Sequence, residues 1–193
     1  EEFVQLCQVL GAEPLVCLRW TGKKPADAAA EVEYFHGAAD TPMGRRRAQH
    51  GHTKPYGVKY WQIGNEVGGA AYDESVRAFA EAMREADPSI QVLSSFPSAE
   101  TLHAGGGYLD YLCPHHYGCA DLLAMEQDFA SLEDRIRRSG SGRPVRIAIT
   151  EWNTTAGDWE LGRGSLQTLG NALHVSRYRS EEHTSELQSL AYL

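Results

Sequence analysis

Val58-Lys59-Tyr60-Trp61-Gln62-Ile63-Gly64-Asn65-Glu66 is a β-branched and aromatic run that ends on a glycine and two polar side chains. Its first six residues carry the signature of a buried strand, and the glycine marks where the strand stops. Upstream, Pro14-Leu15-Val16-Cys17-Leu18 is a continuous apolar run, as expected of a strand covered on both faces. Between the two, Pro25 opens a helix carrying Ala28, Ala29, Val32 and Phe35. Downstream, a helix is expected from about Asp73 to Ala86, closed by Asp87-Pro88. Strands are expected at Ile90 to Ser95, Tyr108 to Cys113 and Val145 to Thr150, with a long amphipathic helix from Leu122 to Arg138 before the last. The chain opens on one more helix, with positions 3, 6, 7 and 10 on one apolar face and Gly11 as its stop. Strand and helix alternating at this rhythm imply a parallel α/β architecture.

Two such architectures compete, the open doubly wound sheet and the closed TIM (β/α)8 barrel. No glycine-rich phosphate loop follows the first strand. Polar groups instead recur at the carboxyl ends of successive strands: Arg19 and Trp20, Asn65 and Glu66, Ser94 and Ser95, His115 and Tyr117, then Glu151. Barrel chemistry collects on that face, so the pattern selects the barrel. Three strand–helix units of roughly 30 residues each span the interval from Glu66 to Glu151 and set the two carboxyls across one mouth. Such a pair is the minimum equipment for glycoside hydrolysis.

The motifs then resemble a known family. Trp61-Gln62-Ile63-Gly64-Asn65-Glu66 is similar to the Gly-Asn-Glu acid/base motif ending strand four of the retaining barrel glycosidases. Ile149-Thr150-Glu151-Trp152-Asn153 resembles the nucleophile motif ending their strand seven. More narrowly, Leu10 to Pro14, Val32-Glu33-Tyr34, Gly51 to Tyr56 and Val58 to Trp61 resemble the α-L-arabinofuranosidases of glycoside hydrolase family fifty-one, over about residues 1–178. The resemblance implies a partial (β/α)8 barrel, approximately strands three to seven, without strands one, two and eight or the family's C-terminal β-sandwich. It implies Glu66 as general acid/base, Glu151 as nucleophile, Asn65 as partner of the sugar 2-hydroxyl, and His115 and Tyr117 as the His-x-Tyr of strand six, whose tyrosine orients the nucleophile. His116 and Thr154-Thr155 depart from the family pattern. The implied reaction removes terminal α-L-arabinofuranosyl groups from arabinose-containing oligosaccharides or polysaccharides, with retention and with no metal or organic cofactor. The chemistry asks for a protonated Glu66 beside an ionised Glu151 at rest. The family is commonly intracellular and oligomeric, which suggests a cytoplasmic homo-oligomer. The alternatives are another retaining barrel glycosidase, such as a β-xylosidase or endoglucanase, and a non-catalytic or misfolded fragment, since five strands cannot close an eight-stranded barrel.

Composition sets outer bounds. Among 193 residues, 18 are basic and 26 acidic, 42% are hydrophobic and 23% charged, as in an ordinary globular domain. The net charge of −8 argues against nucleic acid or an anionic membrane as partner, and no apolar run nears the ~20 residues that span a bilayer. Cys7, Cys17, Cys113 and Cys119 lack CxxC spacing, so they are expected as free thiols packed like small hydrophobes.

The remaining features read as structure. Gly37 to Pro55 is a turn-rich stretch, a candidate functional loop; His50-Gly51-His52 within it lacks the further ligands of a zinc site. Arg45-Arg46-Arg47 is expected as a solvated helix face, and Gly105-Gly106-Gly107 as a flexible loop. Asn153-Thr154-Thr155 matches a glycosylation sequon but abuts the proposed nucleophile, so modification is not expected. Residues 179–193 look like a translated sequencing adapter and are expected as a non-native tail.

Overall fold

The computed structural model describes residues 1–96, 98, 101–103, 107–117, 122–153, 173 and 176. The expectations for Cys119, Gly105-Gly106, Thr154-Thr155 and the 179–193 tail lie outside these residues. The described elements run α1 (Glu2–Leu10), β1 (Leu15–Leu18), α2 (Pro25–His36), α3 (Pro42–Gln49), β2 (Tyr60–Ile63), α4 (Ala70–Ala86), β3 (Gln91–Ser94), β4 (Tyr111–Leu112), β5 (His115–Tyr117), α5 (Leu122–Ser139), β6 (Arg146–Ile147) and β7 (Glu151–Asn153). β1, β2, β3, β4 and β6 form one parallel sheet in chain order, with Leu15 beside Tyr60, Tyr60 beside Gln91, Leu93 beside Tyr111 and Tyr111 beside Arg146. β5 and β7 carry the last two of these strands onward as a second parallel pair. Spatial order that follows chain order, with no reversal, is the arc of a (β/α)8 barrel and not a doubly wound sheet.

The strand period divides the core into two layers. In β2, Trp61 and Ile63 point outward into a large cluster with Val32, Tyr72, Phe79 and Met83 of the helices, whereas Tyr60 packs inward with Leu15, Leu93, Tyr111, Cys113 and Ala148. The Trp61 indole is fully buried and donates to the Val58 carbonyl at 2.9 Å, so its polar atom is satisfied inside the outer layer. α2 and α4 pack on one another across that layer.

The amino ends of the strands are tied by a charge cluster. Asp110, 4% exposed, accepts from the Val92 amide at 2.7 Å, from the Arg143 Nε at 3.0 Å, and from Arg84. The Asp110 backbone also bridges β3 and β6, its amide donating to Val92 and its carbonyl accepting from Arg146. This end of a barrel serves stability, and the opposite end is left to chemistry.

Several expectations need correction. The 37–55 stretch contains α3, because Thr41 caps it by accepting from the Gly44 amide at 3.2 Å and Pro42 stands in its first turn. Arg47 is not solvated: it is completely buried and donates to the carbonyls of Tyr34, Gly37, His52 and Thr53, which clasps α2, α3 and the following turn together. Arg45 and Arg46 are exposed as expected. The strand expected at 108–113 is shifted toward the C-terminus, and β4 and β5 flank Cys113-Pro114, since proline has no amide to donate to a ladder. Glu151 likewise lies within a paired strand and not beyond a strand end.

α1 stops at Gly11, whose φ of 67° supports the capping bond from Ala12 to Cys7. Its apolar face is only partly covered: Val4 and Cys7 are buried, while Phe3, Leu6 and Leu10 are exposed. β1 is the edge of the described sheet, and an apolar stripe is buried only where a second surface meets it. Cys7 and Cys113 are buried free thiols, but Cys17 on that edge strand is exposed. No described helix is long and apolar enough to cross a membrane.

Candidate active site

The turn after β2 presents Glu66 by a backbone route that costs energy. Gly64 has φ 72°, and a Cβ there would lie 2.3 Å from Val67 Cγ2 and 3.2 Å from Trp20 Cβ, so both conformation and space require glycine. Two residues on, Glu66 adopts φ 50°, the single left-handed conformation at a non-glycine residue among the described residues. Such a conformation persists only where the surroundings over-determine it. Here Ser95 accepts from the Val67 amide at 3.0 Å, Gln62 donates to the Gly64 carbonyl at 3.0 Å, and Tyr72 donates to the Ile63 carbonyl at 2.8 Å while accepting from the Ser95 amide at 2.7 Å. The side chains that shape this turn come from β2, α4 and the end of β3. They hold Glu66 half exposed at the mouth.

β5 and β7 supply the other half. Their register sets His115 beside Glu151, His116 beside Trp152 and Tyr117 beside Asn153. Side chains at register partners of parallel strands project to the same face. Tyr117 donates its hydroxyl to Glu151 Oε2 at 2.9 Å. Burial, reinforced by that bond and by the charges of Glu151 and Glu66, pushes the Tyr117 phenol up to about 12, so it remains a donor. The His115 side chain, 3% exposed, reaches both carboxyls: Nδ1 lies 3.2 Å from Glu66 Oε1 and Nε2 lies 3.5 Å from Glu151 Oε1. The second contact is too long to count as a good hydrogen bond and leaves Nε2 buried without a close partner.

Thus the structure brings together four of the five residues singled out in the sequence, Glu66, His115, Tyr117 and Glu151, whereas Asn65 stands aside. Asn65 is exposed, and its Oδ1 accepts from Gln62 at 3.3 Å. Glu66, His115 and Glu151 each offer an atom that lies within 4.8 Å of the others, a set that could also ligate a divalent cation. His50 and His52 are elsewhere, His50 against Tyr34 and His52 stacked on Tyr56 at 4.0 Å. Sequence reading missed Gln62, Tyr72 and Phe96. Phe96 directly follows the strand-end serines, 39% exposed, with its ring 5.3 Å from that of His115; its place next to Ser94-Ser95 was the available signal.

In sequence and in fold the chain is similar to known proteins. Residues 1–138 match the family described as Alpha-L-arabinofuranosidase 1 domain. The chain is 36% identical over 102 residues to α-L-arabinofuranosidase C of Emericella nidulans, covering 48% of this chain and 20% of that protein. It is 26% identical over 189 residues to the intracellular exo-α-(1→5)-L-arabinofuranosidase of Acetivibrio thermocellus, covering 79% and 37%. Among solved structures, the GH51 α-L-arabinofuranosidase of Thermotoga petrophila superposes with a TM-score of 0.68 at 25% identity, over 79% of this chain and 37% of that one. The GH51 arabinofuranosidase of Xanthomonas axonopodis shares the fold with a TM-score of 0.78 at 17% identity, over 100% of this chain and 48% of that one. The chain therefore spans well under half the length of these curated relatives. With a match that runs unbroken through both the Glu66 turn and the His115–Tyr117 strand, this chain belongs to the α-L-arabinofuranosidase 1 domain family.

Proposed function

We propose that Glu66 and Glu151 are the acid/base and nucleophile of a retaining glycosidase that removes terminal non-reducing α-L-arabinofuranosyl groups from arabinose-containing oligosaccharides and polysaccharides. The observation that carries the reading is the approach of the two carboxyls, with an oxygen of each inside a group of atoms spanning 4.8 Å around His115. Retaining enzymes hold their carboxyls about 5–5.5 Å apart, whereas inverting enzymes need roughly 6.5–9.5 Å to admit a water. In the first step a Glu151 oxygen bonds to the anomeric carbon as the glycosidic bond breaks, and the Glu66 proton passes to the departing oxygen. In the second, Glu66 takes a proton from water, the water oxygen bonds to the anomeric carbon, and the Glu151 ester bond breaks. Tyr117 orients Glu151 through its hydroxyl, His115 spaces the two carboxyls, and Asn65 reaches the sugar 2-hydroxyl after leaving Gln62.

The proposal takes residues 1–178 as part of the catalytic barrel and 179–193 as a tail foreign to it. It includes a cytoplasmic location, supported by the word intracellular in the name of the Acetivibrio relative, and a homo-oligomeric parent that engages neither nucleic acid nor membrane. The test is hydrolysis of a chromogenic α-L-arabinofuranoside and the matching β-xyloside by the chain and by residues 1–178 grafted into the Acetivibrio relative in place of its matching segment. Arabinoside turnover with retention, abolished by Glu151→Ala and partly restored by azide, is expected. Preference for the xyloside transfers the same chemistry to a β-xylosidase, and wild-type rates in Glu151→Ala remove the role assignment.

A further inference from the structure

Phe96 stands at the carboxyl end of β3, an aromatic ring 39% exposed at the same mouth as the carboxyl pair. Its ring meets that of His115 edge-to-face, with centroids 5.3 Å apart and planes at 72°. It also lies over Gly68, where an added Cβ would come 3.6 Å from Phe96 Cβ and 3.9 Å from Cδ2. Gly68 belongs to the turn that carries Glu66, so the ring is braced from the Glu66 side of the site and from the buried histidine beneath it. A large apolar side chain left open beside a polar cluster can serve as a ligand wall, because leaving it wet costs hydrophobic free energy that a ligand recovers. The two carboxyls give the site a direction. The acid/base stands beside the departing oxygen and the nucleophile beneath the anomeric carbon, so a wall on the Glu66 side faces the leaving group.

We infer that Phe96 is a specificity-determining residue, a platform for the apolar C–H face of the sugar unit on the leaving-group side. This rests on the arabinofuranosidase reading above and extends it to the second sugar of the substrate. An aromatic ring suits this task because two side-chain torsions present a large rigid face at low entropic cost. The platform takes a neutral glycan and offers nothing to a charged leaving group.

Binding to the full 193-residue chain, in a Glu151→Gln background that prevents turnover, tests the inference. Arabinose and α-1,5-arabinotriose are titrated by calorimetry or ligand-observed NMR. Phe96→Ala is expected to weaken arabinotriose by roughly 5- to 10-fold while leaving arabinose within about twofold, since loss of one stacked face is worth around one decade in affinity. Phe96→Trp is expected to restore arabinotriose binding and Phe96→Leu not to. Equal weakening of both sugars, or no weakening of the trisaccharide, overturns the platform. Failure of the chain to bind either sugar overturns instead the arabinofuranosidase reading on which it stands.

Discussion

His115 and Glu151 are register partners on adjacent parallel strands, and the same imidazole that lies 3.5 Å from Glu151 also lies 3.2 Å from Glu66. The histidine is thus a buried spacer between two carboxyls delivered by elements far apart in the chain. His115→Ala leaves both carboxyls without their common neighbour, and displacement of about 1 Å in a reacting group costs on the order of 10²-fold in rate. A loss of that size in kcat with little change in KM is expected, partly recovered by His115→Asn. Undiminished kcat in the alanine variant would show that the spacer is dispensable.

Tyr117→Phe removes one hydrogen bond to Glu151 and keeps the ring. Bonds to a charged acceptor are worth about 1.5–3 kcal/mol, so kcat/KM is expected to fall by roughly one to two decades. The phenol is pushed up to about 12 in the fold, above the unfolded value near 10. A raised value means that its contribution to stability is complete below the unfolded value and is lost as pH rises through the folded one. Wild-type and variant stability curves should therefore run parallel from acid to about pH 10 and converge only at still higher pH. Convergence near neutrality would contradict the upward shift of this phenol.

Glu66→Gly should relieve the left-handed backbone at that position. Glycine accepts φ 50° without the Cβ penalty, so a gain of roughly 0.5–1 kcal/mol in denaturation free energy is expected together with loss of turnover. A destabilised variant would show that the conformation is not strained.

Asp110→Asn leaves Arg84 and Arg143 facing a neutral group at the amino end of the strands. Breaking a buried pair costs about 3 kcal/mol or more, equivalent to a fall of roughly 6–12 °C in melting temperature for a chain of this size. The carboxyl pair at the other end should keep its geometry, so specific activity per folded molecule is expected to persist.

Chelation separates the two chemistries open to Glu66, His115 and Glu151. The proposed displacement runs on carboxyls alone, so prolonged EDTA treatment should leave the rate of arabinofuranoside hydrolysis unchanged. Loss of activity restored by a divalent cation would make the cluster a metal centre.

How much of this was legible in advance varies with the range of the interaction. The alternation that selected a barrel, the stop at Gly11 and the strand-end placement of Glu66 are signals carried within a few residues, and each is present in the fold. The burial of Arg47 was not readable, because its four carbonyl partners come from α2 and a turn that only the folded chain brings around it. The apolar stripe of α1 was readable but the extent of its burial was not: a stripe shows that a helix can be covered, not that a surface meets it.

The sequence by itself determined which residue types stand at the strand ends, since strand and helix periods are properties of consecutive side chains. Tertiary structure alone decided that Gln62, Tyr72 and Ser95 hold the Glu66 turn, that His115 touches both carboxyls while Asn65 turns to Gln62, and that Phe96 borders the site. Those relations depend on strand register and on packing between segments tens of residues apart. A register shift of one residue would turn Gln62, His115 and Glu151 to the other face of the sheet.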